Sequence, residues 1–370
     1  MKIQKFLLMI LLPILCAGCD LNLELYNPDN FPIDFLPQPP QSDGKAINVI
    51  NPSNYEGSIS YAPASQELLT KEEVYKSCLE SSVYIIGNRG DSQILGSGVF
   101  FSEDSQYGYL FTNAHVVEGL TNIEVIYSNY KRSSATLIGY NLLEDVAVLS
   151  VLKNDNYKVA TIKTSDRLSV ASEVLAIGTP AEIGYSFSAN GGIISKIDSP
   201  ISSVYDSNYG LLLIQTDTPL NNGNSGGPLF DMYGNLIGIN SLKLLYDNSL
   251  NQIDDINFSI PMERAIFMAN SFFNNTPYSR GKLGITIVDI IDLSLSEREE
   301  YNIDLDYGIF VVESLNSKFL TGDVITKING ISFTTKIAFQ KELYSHYINE
   351  PLSFEVYRNN EYITINSTLN

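Results

Sequence analysis

Between Val83 and Ser259 no helical period lasts, and the chain breaks into short runs rich in Val, Ile, Leu, Phe and Tyr. "GSGVFF", "GYLFTNAHVV", "NIEVIYS", "ATLIGY", "DVAVLSVL", "EVLAIGTP", "GGIISKI", "LLLIQTD" and "NLIGINSL" are parted by clusters of Gly, Asn, Asp and Ser. β-Branched and aromatic residues suit a pleated, half-buried surface, and turn residues at such intervals fold the chain back on itself. The spacing predicts an all-β sandwich or barrel. Helical periodicity returns at "PMERAIFMANSFF", with Pro261 in its first turn, and this helix closes the domain. Upstream, Thr70 is placed to cap a short helix with Glu73 three residues on, and "SVYII" then reads as a strand.

The flanks read differently. Residues 1–18, "MKIQKFLLMILLPILCAG", carry Lys2 and Lys5, then an apolar run, then small residues, which is the pattern of a signal peptide. "LCAGC" resembles a bacterial lipobox, with Cys19 the lipidated first residue and Cys16 where an aliphatic residue is usual; an ordinary secretory signal or an uncleaved anchor is the alternative. Residues 19–69 are rich in Pro, Asn, Asp and Ser without periodicity and read as an extended tether. With Cys16 removed and Cys19 lipidated, Cys78 has no disulfide partner, so the fold stands on its core. Loss of the leader moves the formal net charge from −19 to −21, and such an acidic chain is repelled by phosphate backbones, which excludes nucleic acid as the expected partner.

The chain has two histidines, and His115 ends an apolar strand in "TNAHVVEG". Asp145 lies at the mouth of another in "LLEDVAVLSV", and Ser225 sits in "GNSGGPL". Alone, each has a bland reading: a satisfied strand-end histidine, an Asp accepting backbone N–H bonds, a serine in a tight turn. Together they form a nucleophile, its base, and the carboxylate that orients the base. Backbone N–H groups of Gly223 and Ser225 are the candidate oxyanion donors, while Gly226 and Gly227 let the chain pass close to a substrate cleft.

In the order His, Asp, Ser these segments resemble the trypsin-like, chymotrypsin-fold serine proteases, and specifically the bacterial HtrA/Deg family. The likeness covers roughly residues 75 to 270 and extends through "GSGVFF", "VLAIGTP", "GGIISKI" and "INFSIP". Asn222 and Thr179 stand where that family usually has Pro and Asn. The resemblance implies that Leu220, Ile237 and Ile239 line the primary specificity pocket, with small or medium aliphatic residues preferred, and that the strand from Ile239 through Asn240 to Ser241 pairs with the substrate backbone. It also implies a homotrimer, a regulatory loop at Asp198 to Gly210, and chemistry without metal or cofactor.

Residues 280–370 resemble a PDZ domain. "KLGI", that is Lys282, Leu283, Gly284 and Ile285, matches its carboxylate-binding loop, and "GDVITKINGISF" its strand-turn-strand; "TTKIAFQKELYS" reads as helical. A small β-domain used only for packing is the alternative reading of this unit. "LSLSEREEYNID" is atypical of that family, and His346 reads as a surface residue.

The expected class is therefore mainly β: a chymotrypsin-like double β-barrel protease domain over residues 70–275, followed by a small α+β PDZ domain. The expected activity is ATP-independent serine endopeptidase action on unfolded or misfolded polypeptides, by a lipoprotein of the cell envelope facing outside the cytoplasm. C-terminal peptides are the expected PDZ ligands. The alternative is a catalytically inert, membrane-tethered PDZ binding or chaperone-like protein.

Overall fold

A computed structural model of the chain describes residues 57–179, 186–202, 210–221, 223–243, 256–276, 278 and 281–369. The candidate leader and Cys19 lie outside those residues. No helix among the described residues is long and apolar enough to cross a membrane.

The protease-like region opens with helix α1 (Lys71–Cys78). Thr70 Oγ1 accepts from the N–H of Glu73 while the Glu73 carboxylate accepts from the N–H of Thr70, the reciprocal cap that the sequence predicts. Seven strands follow: β1 (Ser82–Arg89), β2 (Ser92–Glu103), β3 (Tyr107–Thr112), β4 (Thr121–Ile126), β5 (Arg132–Ser134), β6 (Thr136–Asn141) and β7 (Val146–Leu152), with the short helix α2 (Ala114–Val117) after β3. They form one antiparallel sheet in the order β5-β4-β1-β2-β3-β7-β6. Alternation sorts the faces: Val83 and Ile85 join Phe100, Leu110, Val125 and Leu149 in one core, while Tyr84 and Ile86 pack with Phe187 on the other side.

The second half contains β8 (Glu173–Gly178), β9 (Ser188–Ser202), β10 (Gly210–Thr216), β11 (Pro228–Asp231), β12 (Leu236–Lys243) and β13 (Asn257–Pro261), closed as a barrel in the order β10-β13-β12-β11-β8-β9. The double-barrel expectation is thus met by a closed ladder here and a seven-stranded sheet before it. Helix α3 (Met262–Phe273) carries Met262, Ala265, Ile266, Ala269 and Phe273 inward at helical spacing. Pro261 is its N-cap and ends β13, one position earlier than the first-turn placement read from sequence, because its ψ of 148° is extended and keeps it paired with Gly238.

The largest apolar cluster lies between the halves. Val99, Phe101, Phe111 and Val148 from the first meet Leu175, Ile177, Phe230, Ile239 and Ile260 from the second, with α1 and α3 closing the ends. Residues 57–69, expected in the tether, also lie on this region: Ser58 bridges Glu103, Tyr61 bridges Ile162, and Leu69 N–H donates to Met232 O. Their backbone groups find partners on the barrel, so this stretch belongs to the folded body. In the expected regulatory loop, Asp198 and Gly210 are strand residues, and residues 203–209 lie outside the description.

The C-terminal unit has its own core, including Leu283, Ile309, Ile325, Phe339 and Phe354. Its strands are β14 (Ile285–Asp289), β15 (Ile309–Ser314), β16 (Val324–Ile328), β17 (Ile331–Ser332), β18 (Pro351–Arg358) and β19 (Glu361–Thr368). The order is β14-β15-β16-β18-β19, with β17 on β16. The atypical stretch after Asp289 holds a 3-10 turn and helix α4 (Leu295–Glu300), and α5 (Lys336–Leu343) lies where "TTKIAFQKELYS" reads as helical, capped by Thr335.

Candidate active site

β3 runs directly into α2, whose Ala114, Val116 and Val117 are buried, and His115 is carried between them with its side chain 18% exposed. Asp145 precedes β7 in a left-handed conformation, φ 55°, which Asp tolerates better than most residues. Two contacts fix that turn: Asp145 N–H donates to Leu142 O, and Asn113 Nδ2 donates to Asp145 O at 2.9 Å. The carboxylate then faces the imidazole, with His115 Nδ1 2.8 Å from Oδ1 and 3.0 Å from Oδ2. An ionised carboxylate can only accept, so Nδ1 carries the proton and Nε2 keeps its lone pair. Burial works against charge on this imidazole. The Asp145 charge and hydrogen bond outweigh it, and the His115 pKa lies above its ordinary value.

A third group completes the carboxylate's shell. Ser241 Oγ, from β12, donates to Asp145 Oδ2 at 2.5 Å. Sequence reasoning placed Ser241 only on a substrate-pairing strand; 96 residues separate it from Asp145, so no local signal linked the two.

Ser225 sits in a turn whose geometry only glycine permits: Gly223 has φ 95° and Gly226 φ 82°. Asn224 N–H donates to Asn221 O, Gly226 N–H to Asn240 O and Gly227 N–H to Asn224 O. Among the described residues, the N–H groups of Gly223 and Ser225 make no such bond, which leaves the two candidate oxyanion donors uncommitted. Ser225 Oγ also makes no hydrogen bond among the described residues, as is common before substrate draws a nucleophile onto its base.

One residue of the other sheet holds this turn. Ser97 N–H donates to Ser225 O at 2.9 Å, Ser97 Oγ donates to Gly223 O at 2.7 Å, and the same Oγ accepts from Thr179 N–H at 3.1 Å. A Cβ on Gly226 would lie 2.2 Å from Thr112 Oγ1 and 2.3 Å from Ser97 O, and one on Gly227 2.6 Å from Ile177 O. These glycines therefore serve the seam between the halves, where the sequence had suggested clearance for a cleft. The seam brings the serine turn against the strand end that carries His115.

Leu220 and Ile237 are buried with Val174, Ile194 and Leu229 in the second barrel, and Ile239 in the cluster between the halves. Asn240 departs from expectation. Its N–H donates to Gly227 O, its carbonyl accepts from Gly226 N–H and its Nδ2 donates to Pro228 O, so its backbone is committed to the serine turn and has nothing left for a substrate strand.

In the C-terminal unit, β14 is an edge strand beside α5. Lys282, Leu283, Gly284 and Ile285 lead into it. Leu283 is buried in the core, Gly284 has φ 67° and its carbonyl accepts from Leu315 N–H, and Ile285 opens β14 opposite Ser314. His346 is not a free surface residue: its side chain is 13% exposed, with Nδ1 2.8 Å from Glu350 and Nε2 3.2 Å from Glu342. Carboxylates four residues to either side were the available signal.

Two cations join the units around a cleft of about 410 Å³. Arg264 of α3 forms a bidentate pair with Glu144, its Nε 2.7 Å from Oε2, and its Nη1 donates to Tyr344 O at 2.7 Å, just past α5. The guanidinium is stacked 4.5 Å from the Tyr278 ring and 5.0 Å from that of Phe267. Lys341 donates to Ser165 Oγ and Asp198 and lies 3.4 Å from Glu263. No group of potential metal ligands clusters among the described residues.

Comparison with known proteins adds a second, independent set of observations. A profile of the trypsin-like peptidase domain matches residues 96–239, and one of the PDZ domain matches residues 281–369. A serine protease Do-like HtrA of Lactococcus lactis subsp. lactis is 30% identical over 274 residues, 71% of this chain and 67% of that protein. A probable periplasmic serine endoprotease DegP-like of Halomonas elongata is 32% identical over 290 residues, 76% of this chain and 58% of that protein. Among solved structures, the HtrA-type protease AlgW with a bound tripeptide superposes with a TM-score of 0.65 at 26% identity, covering 81% of this chain and 97% of that one.

Proposed function

The chain belongs to the HtrA family of trypsin-like serine endopeptidases with one PDZ domain, and from that premise we propose an acyl-enzyme protease of envelope protein quality control. Ser225 Oγ attacks the scissile carbonyl, His115 Nε2 takes its proton and returns it to the leaving amine, and Asp145 holds the imidazole and stabilises its charged form. The N–H groups of Gly223 and Ser225 receive the oxyanion. The observation that carries this reading is an imidazole oriented by Asp145 just beyond the strand end on which the serine turn packs, with those two donors uncommitted among the described residues.

Substrates are unfolded or misfolded polypeptides, because extended backbone is needed to pair beside β12; with Asn240 committed, the pairing edge begins at Ser241. Leu220, Ile237 and Ile239 give a specificity pocket for small or medium aliphatic side chains. β14 and α5 take C-terminal peptides, with the Lys282 to Ile285 loop receiving the terminal carboxylate. Lys341 and Arg264 tie α5 to the protease domain, so a peptide that shifts α5 acts on both contacts. Anchoring through Cys19 rests on the leader sequence, trimerisation on the family resemblance alone, and an envelope location on the leader and on a relative named periplasmic.

The test is casein cleavage by the full chain in detergent, with and without peptides ending in free apolar carboxylates, beside Ser225→Ala. The expected result is cleavage by the wild type alone, altered by the peptides. Cleavage that survives in Ser225→Ala refutes the mechanism.

A further inference from the structure

Arg89 ends β1 and faces Ser92 across a tight turn in which Gly90 holds φ 58°. Its guanidinium reaches the element that carries the base. Nη2 donates to the carbonyl of His115 at 2.9 Å, and Nε donates to that of Glu118 at 2.8 Å. In the four-residue α2, the Ala114 carbonyl accepts from Glu118 N–H and that of Val117 from Leu120 N–H. A helix of this length cannot sustain itself, and its carboxyl-terminal carbonyls attract a cation. A planar fork bonded to two of them fixes the turn's orientation as well as its position.

We propose that Arg89 is a positioning residue for His115, a fork that holds the imidazole-bearing turn in place against Asp145 and the Ser225 turn during proton transfer. This rests on His115 serving as the general base. The same guanidinium acts through its charge. The groups that bear on the imidazole are Asp145 ahead of β7, Arg89 at the end of β1 and Glu118 just after α2, with the Ser241 hydroxyl behind the carboxylate. Burial and Arg89 oppose protonation, while Asp145 and Glu118 favour it. Arg89 thus tempers a base that Asp145 alone would leave more often protonated, and a protonated Nε2 cannot accept the serine proton.

The experiment compares Arg89→Met and Arg89→Lys with wild type in the full chain, measuring kcat and KM on a short peptide across pH, with Ser225→Ala alongside. Arg89→Met is expected to lose about 10- to 100-fold in kcat at nearly constant KM. Its acid limb in kcat/KM moves to higher pH, because a charge opposing protonation of the base is gone. Arg89→Lys keeps the charge and the wild-type acid limb but recovers only part of kcat, since an ammonium does not fork. Wild-type kcat in Arg89→Met overturns the proposal, and so does a lowered kcat whose acid limb has not moved. Should Arg89→Met fail to fold, Arg89→Lys decides: reduced kcat on an unmoved limb supports the proposal, and wild-type kcat overturns it. Hydrolysis surviving in Ser225→Ala overturns the triad and this proposal together. Hydrolysis lost there but intact in Arg89→Met overturns the Arg89 assignment alone.

Discussion

Arg264→Met isolates the cost of taking the guanidinium away from the Glu144 carboxylate in the interior. The Glu144 side chain is 1% exposed and that of Arg264 14%, so water cannot replace the guanidinium once it is removed. Removing one partner of a buried pair costs about 3–5 kcal/mol, mostly because the remaining charge loses that compensation for its desolvation. Methionine keeps an apolar body between Phe267 and Tyr278, which limits the packing loss, so the charge effect dominates. At roughly 2–4 °C per kcal/mol for a domain of this size, the protease-domain transition should fall by about 10 °C. The assay is thermal unfolding by circular dichroism in a Ser225→Ala background, which removes self-cleavage; the chain has no tryptophan, so fluorescence is the weaker probe. Adding Glu144→Gln removes the charge and should recover most of the loss. Equal stabilities for Arg264→Met and Arg264→Met/Glu144→Gln would falsify the reasoning, because the penalty would then lie in packing. A second readout is activity: Glu144 immediately precedes Asp145, so the single variant should also lose turnover that the double variant regains.

Other outcomes are equally specific. Asp145→Asn should lose on the order of ten-thousand-fold in kcat, through the wrong imidazole tautomer. In the parent enzyme, activity should fall with pH through a His115 pKa lying above the ordinary histidine value, seen as the acid limb of kcat/KM; the stability that the charged His115–Asp145 pair adds has the opposite sign, present at low pH and lost as pH rises through that same pKa. Gly226→Ala should destabilise by about 2–5 kcal/mol in denaturant unfolding, combining left-handed strain with overpacking. Gly90→Ala, with φ 58° and nothing within 4 Å of the new methyl, should cost only the strain of about 1–2 kcal/mol. Ser97→Ala should lower kcat by about 10-fold or more with little change in KM, and weaken a peptidyl boronate in parallel, because the Gly223 carbonyl loses its anchor.

The His115–Asp145 pair and the glycine turn around Ser225 were legible because each residue lies in a contiguous string with its own local logic: a strand running into a short helix, a strand mouth, a glycine-rich turn. The β-runs were legible for the same reason, and so was the Thr70 cap, whose two partners are three residues apart. What escaped were partners far apart in sequence. Ser97 reaches across 126 residues to Gly223, Arg264 across 120 to Glu144, and Arg89 across 26 to a carbonyl, which every residue carries and no pattern marks. Residues 57–69 were read as tether because Pro and Ser suggest extension, and extended chain is also what isolated bridges to a barrel require. Asn240 was assigned to substrate by its neighbourhood, but its hydrogen-bonding capacity was already spent.

The bonds of Ser97 and Ser241 run in opposite directions across the same seam. The first sheet holds the Ser225 turn of the second half through Ser97, and the second half's Ser241 donates to the Asp145 carboxylate of the first. In the proposed mechanism, a small slip between the halves would therefore disable charge stabilisation and base orientation in one event. Mutations, pressure or cosolvents that loosen the Phe101 and Phe230 packing should then change how many molecules are competent while leaving the turnover of each competent molecule intact. Active-site titration, which counts working enzymes, is where such perturbations will register.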